Sequence, residues 1–194
     1  MESNPWKTIS AELKYENPWI SVTEFGVVNP AGKPGIYGKV SFKNTAIGIV
    51  PLDDEGNTWL VGQWRYPLGH WSVEIPEGGG PLGSDLLESA KRELKEETGL
   101  LAERWEIIQR SHLSNSVSDE EAFVFLATGI TQAETEREDT EADMKVEKVP
   151  FRQAYGMVQD GTITDSLSVI AILKVALMKP ELIDRKSTRL NSSH

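Results

Sequence analysis

Along the first forty residues, apolar and polar positions alternate with a period of two. The alternation appears in Ile20, Val22 and Glu24, with Ser21 and Thr23 between, and resumes from Ile36 to Phe42. Between them Asn29-Pro30-Ala31-Gly32 carries turn chemistry. Residues 6–43 therefore predict two or three antiparallel strands with little core of their own. Further strand signals follow at Ala46–Val50, Thr58–Arg65 and His70–Ile75, the first two separated by a turn at Asp53–Asn57. The glycines at 78–80 predict a loop. The period then becomes helical: Leu86, Leu87, Ala90 and Leu94 line one face of a helix from Ser84 to Thr98. Ser84 offers an N-terminal cap, Asp85 suits the first turn, and Gly99 stands where a left-handed C-terminal cap belongs.

Strand signals return at Trp105–Arg110, Ala122–Thr128 and Met144–Val149. A helix is predicted over Phe151–Asp160, stopped by Gly161. Another is capped by Asp165 and runs to Met178, with Pro180 beyond. It is apolar on most sides, so deep burial is expected. Ile130–Asp143 is acidic without an apolar period and predicts a loop; Arg185–His194 has nothing to bury and reads as a non-native tail. The order of elements predicts an α+β chain, a mixed sheet with helices against it, preceded by the N-terminal antiparallel strands.

Composition narrows the function. The 194 residues hold 39% hydrophobic and 26% charged side chains, as a soluble globular chain does. Without cysteine there is no disulfide, thiolate nucleophile or cysteine-bound zinc. No leader pattern opens the chain, and the longest apolar run, Leu167–Met178, is too short to span a bilayer, so no membrane contact is expected and cytoplasm is the expected compartment. A net charge of −10 repels nucleic acid.

The polar face of the Ser84–Thr98 helix is where chemistry concentrates. Glu93 and Glu97 are four apart and Glu96 lies one turn from Glu93, with Glu88 between the two sets. Like charges at this spacing oppose the helix, and the pattern suits either an acidic solvated surface or a cluster for a hard divalent cation beside phosphates.

The stretch Gly78–Leu100, GGGPLGSDLLESAKRELKEETGL, resembles the Nudix box, G-x5-E-x7-R-E-U-x-E-E-x-G-U with U aliphatic. Gly78, Arg92, Glu93, Leu94, Glu96, Glu97, Gly99 and Leu100 fall on pattern positions, while Ser84 replaces the first glutamate. The resemblance implies a Nudix hydrolase of α+β class, an α/β/α sandwich with a mixed sheet between helices and a small N-terminal antiparallel β annex, divided as annex 1–44, main domain 45–182 and tail 183–194. Glu93 and Glu97 would then be the principal ligands of Mg²⁺ or Mn²⁺, with Glu96 assisting, Arg92 holding the glutamates, and Glu77 contributing through its carbonyl. With Ser84 in place of the glutamate, the alternatives are a site with one metal fewer or compensation by Glu88, one turn along. Outside the box, Tyr15–Trp19, Val61–Pro67, Glu74–Gly78 and Gly161–Asp165 resemble the ADP-ribose pyrophosphatase type. That type implies a homodimer formed through the annex and a nucleoside diphosphate sugar bound where annex and main domain meet.

The general base in such enzymes is a loop glutamate, for which Glu120, Glu121 and Glu141 are candidates. Glu120 is preferred because Ser118-Asp119-Glu120 matches the subgroup's phrase. Arg65 is expected at a phosphate, against the alternative of a surface ion pair. Trp19, Tyr37 and Trp64 are candidate stacking surfaces for a base, against the alternative of core aromatics. His70, His112 and His194 show no ligand spacing. Ser114-Asn115-Ser116 stands where the subgroup carries Ser-Pro-Gly, so ADP-ribose is first among several substrates. A non-catalytic Nudix module that senses a nucleotide without turning it over, or an enzyme for another nucleoside diphosphate derivative such as a dinucleotide, is the competing expectation.

Overall fold

The computed structural model describes residues 3–133 and 143–184. The N-terminal segment forms a three-stranded antiparallel sheet, β1 (Lys7–Glu16), β2 (Ile20–Val28) and β3 (Pro34–Phe42), in the order β1-β2-β3. The β2–β3 turn closes where Gly32 takes φ 78°, and the Asn29 side chain accepts from the Ala31 and Lys33 amides. All of β1 is exposed. This sheet lacks a layer behind it.

A single residue, Lys43, separates β3 from β4 (Asn44–Leu52), the first strand of the main sheet. There β5 (Asn57–Arg65), β4, β9 (Glu121–Gln132) and β8 (Leu100–His112) lie side by side, with β10 (Lys145–Pro150) outside β5. β4 runs parallel to β9 and the other pairs are antiparallel, so the sheet is mixed, as expected. β4 and β5 meet only at Leu52 and Thr58 and then splay apart. β6 (His70–Glu74) pairs with β5 and β7 (Glu77–Pro81) with β4, filling the split.

Helix α1 (Leu86–Thr98) covers one face of the sheet; α2 (Phe151–Gln159) and α3 (Ser166–Met178) cover the other. Strand alternation sorts the side chains between them. In β9, Phe125 and Ala127 join Ile47, Ile49, Ala90 and Leu94 beneath α1, while Ala122, Val124 and Leu126 face α3 with Leu167, Ala171 and Ile172. A buried leucine such as Leu94 contributes about 1.5–3 kcal/mol by leaving water. The mixed sheet expected from the pattern and the sandwich implied by the resemblance are the fold observed.

Three details differ from expectation. Glycines 78–80 lie in strand β7, because β4 offers an open edge from Asn44 to Gly48. The α1 cap is Asp85, one residue later than predicted: Asp85 Oδ1 accepts from the Leu87 amide (2.8 Å), whereas Ser84 Oγ lies 3.4 Å from Ser89 Oγ. Helix α3 buries Leu167, Ala171, Ile172, Val175 and Ala176 but leaves Leu177 exposed. Gly99 ends α1 at φ 68°, with its N–H on Lys95 O, as a left-handed cap should. No helix among the described residues is long and apolar enough to cross a membrane.

Candidate active site

The filled split between β4 and β5 puts β7 directly against the polar face of α1. Glu93 and Glu97, four residues apart, point under the strand and are almost fully buried, 6% and 1% exposed. Backbone amides of β7 meet them: Gly79 N–H donates to Glu93 Oε1 (3.2 Å) and Glu77 N–H to Glu97 Oε2 (2.9 Å). The bare Gly78 leaves Glu93 its place, since a Cβ there would fall 2.6 Å from Glu93 Oε1 and displace the carboxylate. Gly80 is crowded in the same way by Ser89 Oγ, at 2.8 Å. The glycine run is therefore a strand that lets two carboxylates lie against it.

Arg92 bridges the helix to the strand. Its Nη2 donates to Glu93 Oε1 (2.6 Å) and to Gly79 O (3.1 Å), and its Nη1 to Glu96 Oε2 (2.6 Å). Burial pushes Glu93 above the ordinary carboxylate range, and the charge of Arg92 opposes it without cancelling it. Glu88 pairs with Lys91 (2.7 Å), and both side chains are exposed.

A second carboxylate pair lies across β7. Arg65, at the end of β5, donates through Nε to Glu74 Oε1 (2.9 Å), through Nη2 to Glu74 Oε2, and through Nη2 to Glu77 Oε1 (2.9 Å). Glu74 is buried and holds the guanidinium firmly protonated. Burial first, then the charges of Asp165 and Glu74, push Glu77 well above its ordinary value, and its Oε2 is buried without a hydrogen-bond partner. A cavity of about 400 Å³ opens here, lined by Arg65, His70, Glu74, Glu77, Thr164 and Asp165 among others. Asp165 caps α3 through Ser168 N–H (2.7 Å), and Ser168 Oγ accepts from the Ile75 amide (3.0 Å), which pins α3 beside β6.

Glu120 stands at the end of the loop between β8 and β9. Burial and then the charge of Asp165 raise its proton affinity. Glu121 is occupied by Arg110, and Glu141 lies outside the described residues, as does His194. Trp19 and Trp64 are 65% and 55% exposed and line none of the cavity beside Arg65. Tyr37 donates from its hydroxyl to Ser116 O (2.6 Å) and packs edge-on against Trp6. Glu74 and Asp165 are the site residues that the sequence did not single out as such. Their signal lay in the phrases Glu74–Gly78 and Gly161–Asp165.

Among the described residues no three His, Asp or Glu side chains converge on one point in a geometry that holds an ion; guanidinium groups occupy several of the carboxylate oxygens. The donor set nevertheless fits a hard cation. All the donors are oxygens, as Mg²⁺ and Mn²⁺ prefer. The raised proton affinity of Glu93 and Glu77 and the unpartnered Oε2 show positive charge in short supply.

The family model described as NUDIX domain matches residues 42–166, and that described as nucleoside diphosphate sugar hydrolase N-terminal domain matches 6–40. The chain belongs to the Nudix family of pyrophosphohydrolases. Among relatives of this Nudix chain, the ADP-ribose pyrophosphatase of Mycobacterium tuberculosis is 31% identical over 178 residues, covering 90% of this chain and 85% of its own. The ADP-ribose pyrophosphatase of Bacillus subtilis is 32% identical over 173 residues, covering 89% and 93%. A solved structure described as an ADP compounds hydrolase superposes with a TM-score of 0.82 over 93% of this chain and 97% of its own. At 17% identity it supports the Nudix fold alone.

Proposed function

We propose that this Nudix enzyme hydrolyses the diphosphate of ADP-ribose or a related nucleoside diphosphate sugar, releasing nucleoside monophosphate and sugar phosphate with Mg²⁺ or Mn²⁺. The observation that carries the reading is the burial of Glu93 and Glu97 against β7, next to a cavity edged by Arg65, Glu74 and Glu77. The names of both relatives above support the substrate class. Glu93, Glu97 and Glu96, with the carbonyl of Glu77, would hold the cation. When bound, it neutralises diphosphate oxygens and acidifies a water.

The protein's own residues do the rest. Arg92 keeps Glu93 and Glu96 aligned by charge-assisted bonds. Arg65, fixed by Glu74, presents a rigid cation to a phosphate at the cavity wall. Glu120 takes the proton of the attacking water, its proton affinity raised by burial and the charge of Asp165, which strengthens it as a base. Trp19, Tyr37 and Trp64 offer ring faces to the nucleobase. The annex, 1–44, joins two copies of the chain, and 45–182 is the catalytic unit. Ile9, Leu13, Tyr15 and Ile36 stand exposed on the annex sheet, which suits a homodimer.

A panel of nucleoside diphosphate sugars and dinucleotides, assayed with Mg²⁺ for release of nucleoside monophosphate, tests the activity. Preferred turnover of ADP-ribose or a related sugar supports the proposal; no release from any of them refutes it. Sedimentation of a monomer at micromolar concentration refutes the dimer.

A further inference from the structure

The segment from Leu113 to Glu120 joins two long strands and carries the proposed base at its last residue. It has an internal turn, in which Ser114 O accepts from the amides of Val117 (3.0 Å) and Ser118 (2.9 Å). Its neck is a Leu113 N–H to Glu120 O bond of 3.3 Å. The neck bond continues the β8–β9 ladder past His112–Glu121 and holds the Glu120 backbone from one side, but neither contact ties residues 115–119 to the catalytic sheet. A loop without its own core takes its position from whatever holds it from outside.

What holds it is the N-terminal sheet. Val40 N–H of β3 donates to Val117 O (2.8 Å), and Asp119 N–H returns a bond to Val40 O (3.2 Å), so that Val40 and Ser118 form a parallel bridge. Tyr37 adds its hydroxyl bond to Ser116 O. The charged anchor is Asp119: Oδ1 accepts from the Phe42 amide (3.0 Å) and Oδ2 pairs with Lys39 Nζ (2.7 Å). Burial works against this carboxylate, but Lys39, Phe42 and Ser41 outweigh it and hold it below the ordinary carboxylate range, charged at any working pH.

We infer that Asp119 is a positioning residue: with Lys39 it latches the 113–120 loop onto β3 and so sets the place of Glu120 from the annex. The inference rests on the reading of Glu120 as base. The annex then serves the proton-transfer step as well as the substrate, through a pair eighty residues apart in the chain. Both partners are partly exposed, 41% and 42%, so the ion pair contributes little to global stability. Its effect falls on the loop, where a displacement near 1 Å costs catalysis up to about a hundredfold.

The test compares Asp119→Ala and Lys39→Met, singly and combined, in the full-length protein. Expected is a fall in kcat of about tenfold with KM within about twofold, an unchanged melting temperature, and faster hydrogen exchange at the Val40, Phe42 and Asp119 amides. The combined variant should be no worse than the poorer single one, because both break the same latch. Asp119→Asn should keep more activity than the alanine variant, since an amide oxygen still accepts from Phe42. Faster exchange with unchanged kcat would overturn the catalytic role, and unchanged exchange would overturn the latch. Two failures are separable by Glu120→Gln. If that variant turns over normally, the base assignment falls, and this inference with it. If it is inactive while the Asp119 and Lys39 variants are normal, the latch alone falls.

Discussion

Replacing Gly78 by alanine should separate stability from catalysis in this site. Gly78 has no positive φ, so alanine brings no backbone strain. The conflict is with Glu93: the new Cβ falls 2.6 Å from Oε1, where ordinary carbon contacts need about 3.5–4.0 Å. Glu93 Cδ and Oε2 would lie closer still, so the carboxylate must retreat by about 1–2 Å. It is the far end of a flexible side chain, so it can do so without moving the backbone. The retreat weakens the Gly79 N–H bond, worth about 1.5–3 kcal/mol to a charged acceptor, and disturbs the Arg92 pair, whose half-exposed guanidinium limits that loss to about 1 kcal/mol or less. A net loss of about 1–3 kcal/mol lowers Tm by about 2–12 °C for a chain of this size. Catalysis suffers more, because a ligand displaced by about 1 Å costs on the order of a hundredfold in kcat. Thermal melts and nucleoside monophosphate release at saturating Mg²⁺ measure the two. A Gly78→Ala enzyme that melts and turns over within threefold of wild type would refute the reasoning, since Glu93 would then not need its place against β7.

Glu97→Gln should keep the fold, as the amide oxygen still accepts from Glu77 N–H, and should lower kcat about a hundredfold or more; unaltered turnover at saturating Mg²⁺ counts against the metal assignment. Asp165→Asn should move the acidic limb of the kcat/KM profile to lower pH. The charge of Asp165 favours the protonated form of Glu120, and its removal keeps the base ionised further into acid, while asparagine still caps α3. A limb that stays put or moves up would show Glu120 is not the group being titrated. Ser84→Glu should lower the Mg²⁺ needed for half-maximal rate, since it adds a carboxylate near α1 while Asp85 retains the cap. An unshifted titration would mean position 84 lies outside the cation's reach.

Local signals carried most of the architecture. The change of period at Leu86 and Gly99 at the far end mark α1 to within two residues. The strand alternations sort correctly between the two helical layers, because a strand's faces are written two residues apart. What was illegible depended on neighbours far along the chain. Glycines disfavour strands, so residues 78–80 looked like a loop; only the open edge of β4 and the carboxylates pressing on β7 make an extended strand the better state. Arg65 as a phosphate contact or an ion pair was undecidable, since its partner Glu74 looks like any strand residue until β6 folds beside β5. Ser84 and Asp85 are both good caps, and sequence offers no means to choose between neighbours. Asp165 was legible as a cap but not as a charge beside Arg65, Glu77 and Glu120, because that proximity exists only once α3 packs against the sheet.

The one-residue joint at Lys43 bears on how this chain can change over time. Its N–H donates to Trp19 O (2.9 Å), its carbonyl accepts from Leu82 N–H (3.3 Å), and its ammonium pairs with Glu16 (2.8 Å). An inserted residue there flips every side chain of one sheet relative to the other and pulls the entrance of α1 out of register. The Asn29–Lys33 turn is exposed at its tip, and a Cβ added at Gly32 would meet nothing within 4 Å. Length variation and grafted tags therefore belong at that turn, and lineages of this fold should drift in length there while the joint at Lys43 stays fixed.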